Sequence, residues 1–381
     1  MDALTTPLPK DWEIKTFRDI STINQGLQIP ISQRLKAPTE HAKFYITIQA
    51  LNNRKEFEYI KTYNESVVCH KDDILMTRTG NTGMVITNIE GVFHNNFFKI
   101  NFDRTLINKD FLVYFLSLEQ TQKTILKKAG TSTIPDLNHN DFYSLLIPLP
   151  PLNEQIAIAN VLSDVDRYLY SLDALILKKE SVKKALSFEL LSQRKRLKGF
   201  NQAWQRVRLG DVAEIKRGVR ITKNELDVFG KYPVVSGGVG FLGYTNNFNR
   251  YENTITIAQY GTAGYVNFQK NKFWANDVCF CVYPNKDVIK NIFLYYFLKV
   301  NQNYLYEISN RNATPYSISK DKILDFEILL PPLNEQIAIA NILSALDHEI
   351  ISLKNKKRQF ENIKKALNHD LMSAKIRVLK K

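Results

Sequence analysis

Two hydrophobic patterns alternate along the chain, and each of them occurs twice. Short apolar runs separated by turn residues predict the strands of a first globular segment, at 44–48, 67–69, 74–77, 85–87, 97–102 and 145–149, with one helix at 111–128. A second segment repeats this order, with strands at 254–258, 278–282 and 328–330 and a helix at 292–298. After each segment the apolar spacing changes to that of a long helix.

The two long helices begin with the same sequence, LPPLNEQIAIAN, at 149–160 and again at 330–341. Matched residues lie 181 positions apart, and the match continues without a gap to Leu197 and Val378. The prolines disfavour helix before them, and Asn153 and Asn334 are suitable N-caps. Because no glycine or proline follows for about 40 residues, this domain-sized duplication predicts two unbroken helices of about 60 Å each.

Apolar residues of both helices recur at alternating spacings of three and four, which is the heptad pattern of a coiled coil. The first seam contains Leu162, Val165, Leu169, Leu172, Ile176, Leu186 and Leu190. The second contains Leu343, Leu346, Ile350, Leu353, Phe360, Leu367 and Leu371, with Lys357 and Lys364 at two seam positions. We expect the helices to pair antiparallel within the chain. The alternative is two amphipathic helices, each packed on its own domain.

The two globular segments share a skeleton but differ in their loops. Trp12, Asp19, Ile23 and Gly26 match Trp204, Asp211, Ile215 and Gly218 at a separation of 192 positions. Glycine loops at 80–83 and 261–264 occupy corresponding places. The sequence therefore predicts a mixed α/β (α+β) fold with an internal pseudo-two-fold repeat. Its globular domains are 1–148 and 199–329, and its long helices lie within 149–198 and 330–381.

The net charge indicates which class of partner the chain binds, and the cysteine content indicates its cellular compartment. The 381 residues include 52 Lys and Arg against 38 Asp and Glu, a formal net charge of +14 that favours a polyanion such as nucleic acid. The three cysteines and six histidines lack metal-ligand spacing, so we expect no metal site and a reducing, cytoplasmic location. No apolar run is long enough to cross a bilayer, and the N-terminus does not resemble a signal peptide.

Taken together, these features resemble the specificity subunits of type I restriction-modification systems. The resemblance covers nearly the whole chain and rests on the duplicated PPLNEQ helix start and on the alternation of variable domain and helix. The second domain adds YPVVSGGVGFLGYTNN, IAQYGTAGYV and KFWANDVCFCV, which are similar to target-recognition domains of that family.

The resemblance implies that each globular domain is a target-recognition domain that reads one half of a bipartite double-stranded DNA target. The helices would set the spacing of the halves and dock two modification (adenine methyltransferase) subunits, and restriction subunits are further partners in such systems. The chain itself would be non-catalytic and without a cofactor, since S-adenosylmethionine, ATP and Mg²⁺ would be bound by partner subunits. The lack of an Asn-Pro-Pro-aromatic or GxxxxGK[ST] motif agrees with this.

Polar residues in the loops are the candidates for DNA contact, because Arg can pair with guanine, Gln and Asn with adenine, and Lys or Thr with phosphate. The first domain supplies Gln25, Gln28, Arg78, Thr79, Asn81, Thr82, Thr131 and Ser132. The second supplies Lys216, Arg217, Arg220, Gln259, Tyr260, Thr262, Asn310, Arg311 and Asn312. The alternative for the glycine loops is a plain hairpin turn, which needs only the backbone freedom of glycine.

The identical helix starts predict a repeated partner-docking site. Its residues are Asn153, Glu154, Gln155, Asn334, Glu335 and Gln336. Basic residues at 178–184, 194–196 and 354–358 are either a solvated helix face or a further contact with DNA or partner. Two other functions remain open at this point. One is a stand-alone sequence-specific or architectural DNA-binding protein, and the other is a coiled-coil interaction scaffold, whose DNA binding would be salt-sensitive and without sequence preference.

Overall fold

A computed structural model describes residues 8–52, 57–312 and 314–379. The contacts divide the chain into two compact units. Unit 1 comprises residues 1–172 and 356–381, and unit 2 comprises residues 173–355. Each unit contains one globular domain, the beginning of one long helix and the end of the other. The predicted domains 1–148 and 199–329 therefore each lie wholly within one unit.

Unit 1 combines two sheets, a two-strand ribbon and short helices with the first long helix. Its strands are β1 (Glu13–Thr16), β2 (Ser21–Gln25), β3 (Lys43–Ile46), β4 (Tyr59–Ile60), β5 (Val68–Cys69), β6 (Ile74–Thr77), β7 (Val85–Ile86), β8 (Gly91–Phe93), β9 (Phe97–Phe102) and β10 (Leu146–Leu149). Its helices are α1 (Phe17–Ile20), α2 (Ile48–Asn52), α3 (Lys109–Leu116), α4 (Glu119–Ala129), α5 (His139–Tyr143) and the start of α6 (Leu152–Leu191).

Unit 2 contains the second set of elements. Its strands are β11 (Gln205–Arg208), β12 (Ala213–Arg217), β13 (Tyr232–Val235), β14 (Phe241–Thr245), β15 (Thr254–Ala258), β16 (Val266–Gln269), β17 (Trp274–Ala275), β18 (Cys279–Pro284) and β19 (Glu327–Leu330). Its helices are α7 (Leu209–Val212), α8 (Asn291–Val300), α9 (Gln302–Ile308), α10 (Lys320–Leu324) and the start of α11 (Leu333–Met372).

The strand order shows the internal repeat directly. The main sheet of unit 1 has the order β2-β9-β6-β7, and the main sheet of unit 2 has the corresponding order β12-β18-β15-β16, with antiparallel neighbours throughout. Each unit also has a smaller sheet with one parallel pair, β3 with β8 and β13 with β17. Ribbons β1–β10 and β11–β19 bring the first strand of each domain beside the last, directly before the long helix.

Aromatic side chains fill the centre of the unit 1 core. Phe142 lies 4.9 Å from Phe17 and 5.9 Å from Phe98 between ring centroids, and Phe111 and Ile158 belong to the same buried cluster. The matching cluster of unit 2 contains Leu209, Phe280, Phe293, Ile323 and Ile339. Each core thus includes a residue from the start of a long helix, so burial of apolar surface fixes that helix start on its domain.

The long helices pair antiparallel, as predicted. Interhelical contacts join Asp166 to Lys364 and Tyr168 to Phe360 in unit 1, and Lys179 to Glu349 and Lys183 to Asp347 in unit 2. In both units residue numbers rise along α6 as they fall along α11. Seam residues Leu162, Leu172, Ile176, Leu190, Leu343, Ile350 and Leu371 are buried. The heptad pattern therefore identified the pairing face correctly.

Three predicted elements differ from the structure. The predicted helix 111–128 is two helices, α3 and α4, because Leu118 has extended geometry after the C-cap Ser117 and begins α4. The long helices begin at Leu152 and Leu333 rather than after Asn153 and Asn334. The carbonyl of Pro151 accepts the amides of Glu154 and Gln155, so Asn153 lies inside the first turn and is not the cap.

Candidate nucleic-acid interface

Three polar loops meet at one end of the main sheet of unit 1. Gln25 ends β2, and its Nε2 donates to the carbonyl of Asn95, which lies just before β9, at 3.3 Å. Gln28 Oε1 accepts from Asn95 Nδ2 at 3.4 Å. The amide of Arg78, directly after β6, donates to the carbonyl of Asn96 at 2.7 Å. The structure thus brings together Gln25, Gln28 and Arg78, which were predicted separately.

The late loop of unit 1, residues 130–137, closes over the glycine loop. Thr79 forms a β-bridge with Asp136, and the hydroxyl of Thr82 donates to the carbonyl of Pro135 at 2.7 Å. Thr131 and Ser132 lie exposed in this late loop. Because the hydroxyl of buried Thr82 is already used, it positions the two loops and is not available for phosphate.

Glycine is needed in this loop for its backbone. Gly80 and Gly83 have φ values of +67° and +92°, and a methyl group on Gly83 would lie 2.7 Å from the side-chain oxygen of Gln122. The turn interpretation of the loop is therefore correct. It does not exclude contact, since the turn leaves Asn81 exposed at its tip.

The side chain of Arg78 is held in place by two neighbours. Its Nη2 donates to Asp136 Oδ2 at 2.7 Å, and its guanidinium carbon lies 5.8 Å from the centroid of the Phe98 ring. The His139 ring packs on the same Phe98 at 5.0 Å and places Nε2 3.2 Å from Gln25 Oε1. Sequence reasoning missed Asn95 and His139. Neither residue lies in a sequence motif. They are identified only by their position at the end of the main sheet.

Unit 2 repeats this arrangement with different side chains. Arg217 ends β12, and its Nε donates to the carbonyl of Asp277 at 2.5 Å, as Gln25 does to that of Asn95. Tyr260 forms a β-bridge with Ser317, as Thr79 does with Asp136. The paired positions are Gln25 with Arg217, Gln28 with Arg220, Arg78 with Gln259, and Thr79 with Tyr260. The backbone is therefore kept while the surface chemistry changes.

The late loop of unit 2 makes its own contacts within residues 310–312 and 314–317. Asn310 and Ser317 exchange two backbone hydrogen bonds of 2.7 and 3.1 Å, and Asn310 Oδ1 accepts the amide of Asn312 at 3.0 Å. The guanidinium of Arg311 lies 5.6 Å from the ring centroid of Tyr316 and remains exposed. Asn310, Arg311 and Asn312 thus form one exposed polar edge beside the glycine loop.

Two predicted residues of unit 2 are differently placed. Lys216 precedes Arg217 on β12, so their side chains point to opposite faces, and Lys216 pairs with Glu214 at 3.1 Å. The hydroxyl of Thr262 donates to the carbonyl of Gly237 at 2.7 Å. Lys216 therefore lies apart from the polar cluster at the sheet end, and Thr262 has its donor occupied.

The predicted docking residues Glu154 and Glu335 bind their own chain. Glu154 accepts from Trp12 Nε1 at 3.0 Å and from two nitrogens of Arg377 at 2.5 and 2.7 Å. Glu335 accepts from Trp204 Nε1 at 3.0 Å and from Arg196. The hydrogen bonds of Arg377 to Glu154 and to Asp11 raise its pKa. Both carboxylates are buried, so each joins a domain to the two helix ends of its unit.

The neighbouring glutamines are buried as well. Gln155 Oε1 accepts the amide of Asn108, and its Nε2 donates to the carbonyls of Leu106 and Pro150 at 2.9 and 2.8 Å. Gln336 makes the corresponding bonds to Lys290, Val288 and Pro331. Burial argues against direct docking by the Glu and Gln pairs. Asn153 and Asn334 are exposed, and for them the docking role stays a prediction.

A tyrosine–aspartate–lysine contact occurs once in each unit and was not predicted. Tyr114 donates to Asp166 Oδ2 at 2.8 Å, and Lys364 Nζ lies 2.5 Å from Asp166 Oδ1. Tyr296, Asp347 and Lys183 form the matching set in unit 2. Burial, together with the aspartate hydrogen bond, raises the pKa of both tyrosines. The seam lysine Lys364 is thus paired with a carboxylate on the facing helix.

Some kinds of site were not found in the described residues. Within residues 8–52, 57–312 and 314–379, no cluster of His, Cys, Asp and Glu could hold a metal ion. No helix in that part of the chain is long and apolar enough to cross a membrane. Cys69, Cys279 and Cys281 are buried free thiols.

Comparison with known proteins supplies the family. The family model of the type I restriction modification DNA specificity domain matches twice, over residues 9–179 and 201–362. The type I restriction enzyme MjaVIII specificity subunit of Methanocaldococcus jannaschii is 25% identical over 97% of this chain and 94% of its own length. The putative MjaX specificity subunit of the same organism is 27% identical over 97% and 95%.

Two solved structures share the fold. The type I restriction-modification S subunit from M. genitalium superposes with a TM-score of 0.66 at 20% identity, over 96% of this chain and 98% of that one. The HsdS subunit from Thermoanaerobacter tengcongensis gives 0.52 at 18% identity, over 98% and 99%. With two domain matches that together cover most of its length, this chain belongs to the type I restriction-modification DNA specificity family, whose members are non-catalytic specificity subunits.

Proposed function

We propose that each unit reads one half of a bipartite double-stranded DNA target through the polar residues at the end of its main sheet. We call these residues the recognition cluster. The observation that carries the proposal is the replacement of side chains on a retained backbone, as in Gln25 and Arg217. Both side chains make the same bond to a backbone carbonyl, so that bond does not explain why their other polar groups differ, whereas two different half-sites would.

The recognition cluster of unit 1 is rich in amides and that of unit 2 is rich in guanidinium groups. The first contains Gln25, Gln28, Arg78, Thr79, Asn81, Asn95 and His139. The second contains Arg217, Arg220, Gln259, Tyr260, Asn310, Arg311 and Asn312. Amides pair bidentately with adenine and guanidinium groups with guanine. We therefore expect more adenine contacts in the first half-site and more guanine contacts in the second.

The exposed side of each helix start is the proposed docking surface for a modification subunit. Glu154, Gln155 and Ile158 turn inward, so the same turns leave Asn153, Ile156 and Asn160 facing solvent. The identical residues of the second copy are Asn334, Ile337 and Asn341, and the two isoleucines are 41% and 45% exposed. Core packing does not account for the exposed part of either isoleucine, whereas a partner that docks on each copy would.

The methyltransferase chemistry would then be carried out by two modification subunits, which would bind S-adenosylmethionine. Restriction subunits, with ATP and Mg²⁺, would join through that assembly. A chain that acts on chromosomal DNA works in the cytoplasm. The helix pair would fix the distance between the two half-sites.

A methylation map tests the proposal. The chain is expressed with its modification subunit in a host without adenine methylation, and modified adenines are located by sequencing. We expect a split motif with two short specified halves and a constant unread gap. Replacing 204–330 by the corresponding segment of another specificity subunit should change one half only. A map without any motif would contradict the proposal, and DNA binding by the purified chain would then separate the two alternatives, a stand-alone DNA-binding protein and a scaffold.

A further inference from the structure

One turn of unit 2 presents two bulky apolar side chains to solvent. Val228 and Phe229 are 90% and 93% exposed, more than any other large hydrophobic residue in the described part of the chain. The turn connects the segment after β12 to β13, the central strand of the smaller sheet. Full exposure of a valine and a phenylalanine side by side costs hydration free energy, which a bound partner would recover.

The turn is built to hold these residues outward. The amide of Asp227 donates to the carbonyl of Tyr244 at 2.8 Å, and its carboxylate accepts from the amide of Phe229 at 2.9 Å and from Asn246 at 2.7 Å. A methyl group on Gly230 would lie 2.5 Å from the amide nitrogen of Thr245, so the turn packs directly on β14. The turn is therefore already ordered before binding, so little conformational entropy would be lost when a partner binds.

The fold itself does not require apolar residues there. In unit 1 the matching turn precedes β3 and is closed by the amide of Ala42 donating to the carbonyl of Thr39 at 3.0 Å, as Gly230 donates to Asp227. Its tip carries the exposed pair Glu40 and His41. The apolar pair thus belongs to one unit only. A docking surface for two copies of the same subunit would be present in both units.

Basic and amide groups surround the turn. Arg220, Lys223 and Lys231 are exposed within the same segment, while Glu225 is bonded to Thr222. A cleft of about 580 Å³ lies beside the turn, lined in part by Asn224, Asn246, Asn247 and Trp274. The indole of Trp274 donates to the carbonyl of Val219, two residues from Arg217. The turn is therefore continuous with the recognition cluster of unit 2.

We propose that Val228 and Phe229 form a wedge that inserts between base pairs next to the second half-site and bends the duplex there. Apolar side chains can enter a base step and unstack it while flanking cations hold the phosphates. Arg220, Lys223 and Lys231 are placed for the phosphate contacts, and the asparagines of the cleft can bond the base edges that unstacking exposes. This inference rests on the proposed function, because it needs a bound half-site.

The test uses the complex of the full chain with its modification subunits and a duplex that carries the mapped motif. The base analogue 2-aminopurine replaces adenines in turn along the second half-site and its flank, and donor and acceptor dyes at the ends report bending. The variant is Val228→Ser with Phe229→Ser, which alters only exposed atoms. The matched control is Ile14→Ser, an exposed apolar residue on β1 of unit 1.

We expect the wild-type complex and the Ile14 control to raise 2-aminopurine fluorescence at one step and to bend the DNA. The double variant should lose both signals, bind roughly 10-fold more weakly, and methylate the same motif. An unchanged bend and affinity would overturn the wedge alone. Loss of the modification subunits from the variant complex with the bend retained would also overturn it, in favour of protein docking. Absence of any motif in the wild type would overturn the proposed function as well.

Discussion

Single residues show how this protein separates its scaffold from its specificity. Gln25 and Arg217 end matching strands, and each donates from its side chain to a backbone carbonyl at the start of the neighbouring strand. That bond fixes the direction of the side chain. The remaining donors and acceptors of the two residues differ, so the same position can present an amide in one unit and a guanidinium in the other.

Replacement of Arg217 by Gln should change the second half-site and leave the first unaltered. A lost bidentate guanine contact removes about 1–3 kcal/mol of discrimination, which is a factor of roughly 5 to 150 at one base. The methylation map reads this change directly. The control is Lys216→Gln, because Lys216 lies on the other face of the strand and its replacement should leave the motif unaltered. An altered first half-site in the Arg217 variant would contradict the placement of the recognition cluster.

Glu335→Gln should destabilise unit 2. Glu335 is fully buried and accepts from both Arg196 and Trp204, so the substitution leaves a cation without its counter-charge. We expect a loss of about 3 kcal/mol in the free energy of unfolding, measured with urea. Glu327→Gln is the control, because Glu327 pairs with Arg206 at the surface and should change stability by less than about 1 kcal/mol. Equal losses of unfolding free energy in the two variants would show that the buried ion pair stabilises the unit no more than the surface pair does.

At the scale of secondary structure, each recognition cluster depends on how one strand end approaches the next loop. Gly26 and Gly218 follow the matching strands β2 and β12. A methyl group on Gly26 would lie 2.2 Å from the carbonyl oxygen of His94, and one on Gly218 would lie 2.1 Å from that of Asn276. These glycines allow the backbone to pass close enough for the strand-end side chains to reach their carbonyl partners.

Gly218→Ala should therefore disturb both stability and recognition. The clash is with backbone, which cannot move aside as a side chain could, so we expect a loss of at least about 1–3 kcal/mol in unfolding free energy. Thermal unfolding and the second half of the methylation motif provide the two measurements. Gly240→Ala is the control, because a methyl group there meets nothing within 4 Å. A variant as stable as the wild type would contradict the close approach.

At the scale of the whole molecule, an ion pair in each unit joins the end of one long helix to the start of the other. Arg196 follows α6 and pairs with Glu335 at the start of α11, and Arg377 follows α11 and pairs with Glu154 at the start of α6. Arg377 also pairs with Asp11, so the end of the chain is bound beside its beginning in unit 1. The duplication thus gives both units the same closure.

Insertion of seven residues into both helices, between 172 and 173 and between 355 and 356, should lengthen the unread gap of the DNA target. These positions divide the two units, so contacts within each unit are kept. Seven residues add about 10 Å of helix, which corresponds to roughly three base pairs. The methylation map measures the gap, and insertion in one helix alone is the control for loss of interhelical register. An unchanged gap with both halves intact would contradict the proposal that the helix pair fixes the distance between the half-sites.

Local pattern and duplication in the sequence determined much of this protein. The repeated LPPLNEQIAIAN, the absence of glycine and proline after it and the heptad spacing predicted two long helices that pair. The globular segment between the two copies favoured antiparallel pairing within the chain. Short apolar runs predicted nine of the strands, among them the fully buried β6 and β15, whereas the first strands of each domain were not predicted. The matched Trp, Asp and Gly positions predicted that both domains have one skeleton, and the strand orders confirm it.

Only the tertiary structure decided what the polar residues do. From sequence, Glu154 and Gln155 were predicted to dock a partner, yet they bind Trp12, Arg377 and Asn108, which lie far away along the chain. For the same reason Asn95 and His139 were missed, and Lys216 was grouped with Arg217 although its side chain lies on the other face of β12. The use of a polar group depends on which distant donor or acceptor reaches it after folding, and no local spacing encodes that.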